Sequence, residues 1–199
     1  MLGPVKLSSD KLLSLRKKYD FHILSTICNS DTTHENGHVS IQESINLVKK
    51  GLAKAVNEYQ FQPEQIFMDP MVVPLTEEIA ESSSLAGNTY NAFRIIKEIR
   101  NIPASKKSHC ILRLNQATKG IKKRKVGVNR AYMAKAMEYG LDAAFVDATH
   151  HYGQSPADPK LIEIIEAFTQ MDGSSQKTDI ARQMITPFVG DSPKTIKKA

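Results

Sequence analysis

Four short apolar runs, each closed by a polar loop and followed by a stretch of helical period, limit what this chain can fold into. Residues 21–28, 65–69, 110–114 and 143–147 are apolar runs of strand length. Between them, Ile41, Ile45, Val48, Leu52, Val56 and Tyr59 recur every three or four positions, as do Tyr90, Phe93, Ile96 and Ile99 up to Pro103. A helix over 129–139 is expected to stop at Gly140, the usual place of a left-handed C-cap. Leu161, Ile164, Ile165 and Phe168 mark another helix, and 176–185 a weaker one. A first helix around Leu12, Leu13 and Leu15 follows the possible caps Ser8, Ser9 and Asp10 and should end near Asp20. Strand–loop–helix alternation of this kind is the pattern of an α/β fold with a parallel sheet. The expected organisation is one unit over residues 1–172, then a helix and frayed tail over 173–199.

In parallel α/β folds the polar residues just past the strands converge on one edge and line the site. Here they are Asn29, Asp69, Asn115 with Gln116, and Asp147, each behind a different run. The competing role for any one of them is to cap the next helix. Asp69 stands apart, because Pro70 and Pro74 bracket Met71-Val72-Val73 and oppose a helix start, which predicts an extended apolar wall beside a carboxylate.

Charge narrows the partners. The chain has 27 Lys or Arg against 21 Asp or Glu, a net charge of +6, yet eleven of those bases and no acid lie between Ile99 and Met137. The basic character therefore belongs to one segment of an otherwise mildly acidic chain. Its densest part, Lys119, Lys122, Lys123, Arg124 and Lys125, follows the third run. It is either a solvated loop or an attractor for an anionic ligand tail or an acidic partner. Nucleic acid is disfavoured, since only Tyr132 offers an aromatic ring nearby. No apolar run approaches the ~20 residues that cross a bilayer, so a cytoplasmic chain is expected. Cys28 and Cys110 lie far apart with no paired spacing. Asn36-Gly37 sets a turn between His34 and His38, and His150 and His151 point apart on an extended chain, so no metal site is expected.

The residues also resemble a family. Ile66-Phe67-Met68-Asp69-Pro70-Met71-Val72-Val73-Pro74 is similar to the strand-six signature of pterin-binding methyltransferases. The stretch from Val128 through Ala136 and Gly140-Leu141-Asp142-Ala143-Ala144-Phe145-Val146-Asp147-Ala148 resembles that family's seventh helix and eighth strand. The family is the methyltetrahydrofolate:corrinoid methyltransferases, related to dihydropteroate synthase and to the folate domain of cobalamin-dependent methionine synthase. The likeness covers roughly residues 5 to 170.

The resemblance implies a TIM-barrel-type βα repeat, here about four βα units matching strands five to eight, or half a barrel. It implies that Asp69 binds the pyrimidine edge of a pterin and that Asn29 and Asp147 shape its pocket. After the third run, Arg113-Leu114-Asn115-Gln116 stands where the family has Gly-Leu-Ser-Asn. Strand alternation puts Gln116 on the residue that acts near N5, whereas a one-residue shift puts Asn115 there. The implied methyl donor is a tetrahydrofolate or tetrahydropterin, and the acceptor is cobalamin on a separate corrinoid protein, because no Asp-x-His-x-x-Gly motif is present. A full barrel has eight units and about 250 residues, so either a second copy or another chain is expected to supply the rest, or the sequence is a fragment or reduced descendant. The alternatives are a non-catalytic pterin-binding or barrel-completing subunit, or a dihydropteroate-synthase-like enzyme, which the missing Ser-x-Arg pattern disfavours.

Overall fold

The computed structural model describes residues 2–5, 9–27, 40–152 and 154–189. Strand β1 (Leu2–Val5) precedes helix α1 (Asp10–Leu13), which tightens into a 3₁₀ turn over Ser14–Lys17. Then follow β2 (Ile23–Thr26), α2 (Ile41–Asn57), β3 (Ile66–Asp69), α3 (Leu75–Glu78) and α4 (Asn88–Asn101). The second half comprises β4 (His109–Arg113), α5 (Leu114–Ala117), α6 (Lys125–Glu138), β5 (Ala143–Phe145), α7 (Pro159–Gln170) and α8 (Ser175–Ile185). The four expected strands are β2 to β5; β1 is an unforeseen parallel addition beside β2. Among the described residues no helix is long and apolar enough to cross a membrane.

All neighbouring strands are parallel and the spatial order is β1-β2-β3-β4-β5, the same as the order along the chain. Parallel strands need crossover connections, and these are right-handed almost without exception, so sequential order sends every crossover over the same face. The core shows the consequence. Ile23, Ile66, Met68, Cys110 and Leu112 of the sheet are buried in one cluster to which every helix contributes, from Leu13 of α1 to Ala181 and Ile185 of α8. The intervening residues Leu24, Phe67, Asp69, Ile111, Arg113 and Phe145 point the other way, and the register keeps them together: Leu24 pairs with Phe67, Thr26 with Asp69, and Arg113 with Phe145. Leu24 and Ile111 are buried yet stand outside the helix-side cluster.

Local chemistry accounts for the helix ends. Ser40 and Glu43 form a reciprocal capping box at the start of α2. Asp158 caps α7 through the Lys160 amide, with Pro159 in the first helical position. Gly140 adopts φ +106°, where a Cβ would stand 2.7 Å from the Arg100 side chain. Three starts differ from expectation. Pro74 itself becomes the N-cap of the single turn α3, α5 begins at Leu114 directly off the strand, and α6 starts four residues early at Lys125.

Helix α4 begins over an unusual group. Glu78 is fully buried, and the Thr89 amide and hydroxyl donate to its carboxylate at 3.0 and 2.5 Å. Tyr132 Oη lies 3.1 Å from the same hydroxyl. Burial pushes the Glu78 pKa up from 4.5 to about 8, against the opposing pull of the Thr89 hydrogen bonds. A raised pKa means that the folded state favours the proton. The resulting stability is complete below about pH 4.5 and is lost as the pH rises through about 8. Urea midpoints measured across that window should therefore fall with rising pH in the wild type, and a Glu78→Gln variant should lose most of that slope.

Candidate ligand site at the C-terminal edge of the sheet

Asp69 ends β3 and is only 1% exposed. Its Oδ1 accepts from the Met71 amide at 2.9 Å. Pro70 cannot donate and forces the chain out of the strand, and Met71 then takes φ +55°, a strained conformation for a non-glycine residue. The Asn88 side chain holds this turn in place: its Oδ1 accepts from the Val73 amide at 3.0 Å and its Nδ2 donates to the Met71 carbonyl at 3.3 Å. The apolar wall expected at 71–73 is thus pinned to the start of α4.

Arg113 ends β4, the next strand, on the same face. Its Nε lies 3.1 Å from Asp69 Oδ2, and its side chain is 39% exposed against 2% for that of Asp69. Burial raises the Asp69 pKa above the usual carboxylate value, while the Met71 amide and the Arg113 charge pull it back. The pair places a desolvated acceptor and a half-exposed donor side by side at the sheet edge. Asp69 is legible in the sequence through its flanking prolines, whereas Arg113 stands there only at the position of the resembled family's glycine. Their contact follows from neighbouring strand ends, which no spacing along the chain reveals.

The other expected site residues lie nearby to different degrees. Asn115 and Gln116 are exposed on α5. Because the strand ends at Arg113 and a helical turn begins at Leu114, period-two alternation does not decide which of them faces the site. Asp147 is exposed two residues past β5. It accepts from the Thr149 amide at 2.9 Å and hydroxyl at 2.6 Å, so it caps the next turn, and these bonds hold its pKa below the usual carboxylate value. Asn29, Cys28, His34 and His38 lie outside the described residues.

Toward the other end of the same face Phe67 stacks on His109 with ring centroids 4.5 Å apart. Asp142 fixes that histidine, accepting at Oδ1 from the Cys110 amide and lying 2.8 Å from His109 Nδ1 through Oδ2. Arg100 Nη2 sits 2.5 Å from Asp142 Oδ1.

The basic loop is anchored rather than free. The Thr76 hydroxyl donates to the Lys119 carbonyl at 3.0 Å, the Lys122 and Lys123 amides both donate to the Phe188 carbonyl, and Ile121 bridges Val189. Arg124 pairs with Asp158 at 2.6 Å. Tyr132 is wholly buried, so it offers no platform on which a base could stack.

An Arg113→Leu variant would strand the Asp69 charge in a desolvated position. Discounted for the partial exposure of Arg113, the loss should be about 1–3 kcal/mol of unfolding free energy near neutral pH. It should shrink in acid, where Asp69 becomes protonated, and denaturant melts at two pH values would show this. Asp69→Asn in the same background should recover part of it. No protein-family model and no curated protein matches this chain.

Proposed function

We propose that the chain carries the pterin-binding part of a methyltransferase site built on half of a TIM-type barrel. Asp69 accepts hydrogen bonds from the ring N3–H and 2-amino group of a methylated tetrahydrofolate or tetrahydropterin, and the methyl group on N5 passes to a corrinoid held by a separate protein. The observation that carries this is Asp69 itself: a nearly fully buried carboxylate at a strand end, braced by the Met71 amide, with an apolar Pro-flanked segment behind it. A desolvated carboxylate gains most from paired N–H donors of this geometry. Asn115 and Gln116 follow on the next connection, where an amide could donate toward N5 as the carbon–nitrogen bond weakens. Asp147 follows β5 at the same edge of the sheet. Sequential parallel order is the strand order of a barrel segment, and a second copy or another chain would complete such a barrel.

A second reading is favoured by one feature. Arg113 already neutralises Asp69, as it would in a subunit that completes a partner's barrel without catalysing anything. Calorimetric titration with 5-methyltetrahydrofolate, followed by addition of a methyl-accepting corrinoid protein, separates the two. The methyltransferase reading requires binding, a loss of at least about 30-fold in Asp69→Ala, and corrinoid methylation. Binding without methylation leaves the non-catalytic reading. No binding at millimolar ligand, with Asp69→Ala behaving as wild type, would sink the pterin assignment itself.

A further inference from the structure

A cavity of about 500 Å³ opens between the 3₁₀ turn after α1 and the end of α2, the two segments that lead into β2 and β3. Helices of a parallel βα repeat run back across the sheet, so these ends lie where the next strands begin, at the opposite edge from Asp69. The volume falls within the range of about 300–1,000 Å³ that holds small ligands.

Parts of both walls are fixed by their own contacts. Arg16 pairs with Asp20, which also accepts from Gln65 Nε2 at 2.7 Å, and its guanidinium lies 5.2 Å from the centre of the Phe61 ring. The Tyr59 hydroxyl donates to Asp10, which Lys54 holds at 2.7 Å. The charge of Asp20 is thus already met. Lys17 and Lys18, by contrast, are exposed and have no ion-pair partner among the described residues, and Tyr19 beside them leaves a large ring 63% exposed. From the α2 side come Glu58 and Gln60, where the end of the helix dipole adds partial negative charge.

The cavity is therefore two-sided. Two unbalanced ammonium groups and an aromatic ring come from residues 17–19, and hydrogen-bond acceptors come from residues 58–60. A bare anion would satisfy only the first side and be opposed by the second. We propose that this cavity binds a nucleoside monophosphate, an anionic group joined through hydroxyl donors to a planar ring. Lys17 and Lys18 take the phosphate, the base stacks on Tyr19, and Glu58 accepts from the sugar hydroxyls as acidic residues do in dinucleotide sites. The proposal shares no residue with the strand-end site and stands or falls separately from the pterin reading. If the lysines only solvated the surface, the base would be irrelevant and any small anion would bind as well.

The test is calorimetric titration of the full chain with AMP, adenosine and inorganic phosphate at low salt. AMP should bind with a dissociation constant below about 1 mM and at least about tenfold more tightly than adenosine or phosphate, each of which offers one half of the match. Exchanging both lysines (Lys17→Glu with Lys18→Glu) should weaken AMP at least about tenfold, and Tyr19→Ala at least about fivefold. Lys160→Glu, an exposed lysine at the start of α7 on the opposite edge, should change little. Thermal melts identify any variant that has lost its fold, and Lys17→Gln with Lys18→Gln then replaces the charge reversal. Phosphate binding as tightly as AMP, or an equal loss in Lys160→Glu, would reduce the cavity to part of a general positive field and overturn the proposal. Adenosine binding as tightly as AMP would remove the lysines from it, and no AMP binding at about 10 mM would remove the site.

Discussion

A parallel sheet whose strands follow one another in order has little choice about where its helices go. Each crossover leaves the top of one strand, passes over a face and re-enters at the bottom of the next, and the twist of the chain makes that turn right-handed. With order and direction repeated, the helices accumulate on one face, and so every helix here contributes to the cluster around Ile66, Met68, Cys110 and Leu112. The alternate strand positions are thereby released from that core. Asp69 and Arg113 can be polar, and Phe67 and His109 can stack on each other, because the fold does not ask those positions to pack under a helix. The site is in this sense a by-product of one-sided winding.

Position on that second face is then set by the start of α4. Asn88 clamps the turn after Asp69 through the Val73 amide and the Met71 carbonyl, while Thr89, the next residue, donates to the buried Glu78. One helix terminus thus holds the segment that shapes the carboxylate and also anchors a protonatable group in the core. The arrangement couples the site to packing: a shift of α4 moves Met71, and Met71 carries the amide that braces Asp69. Strain at the left-handed Met71 is tolerated because it is held from both sides.

Periodicity made most of this architecture legible. The amphipathic stretches that became α2, α4 and α7 bury most of the apolar positions expected of them, with Ile41, Val56 and Tyr90 only partly covered, and the four apolar runs became β2 to β5. What periodicity could not show were the single turns. α3 spans only Leu75–Glu78 and starts behind a proline that also fits an extended chain, and α5 buries two residues in one turn. The early start of α6 was hidden because its first turn is basic, with neither a capping side chain nor an acid. Within the site, Asp69 was visible because its flanking prolines exclude the common capping role. Its pairing with Arg113 was not visible, since 44 positions separate two residues that only strand order makes neighbours. Asn115 and Gln116 illustrate the opposite problem: their spacing from β4 is known, but alternation stops where the strand does.

The same second face of the sheet that permits the Asp69–Arg113 pair leaves its two halves in different surroundings. A hydrogen-bonding edge discriminates between ligands by leaving the wrong one unsatisfied, and that penalty is large only where water cannot step in. Asp69 is dry, but Arg113 is more than a third exposed, and Phe145, its partner in the neighbouring strand, is 44% exposed. The carboxylate half of the edge is therefore already desolvated by the chain's own packing, whereas the guanidinium half is not. Covering the face from Arg113 to Phe145 would dry the donor and bury the exposed ring of Phe145 in one step.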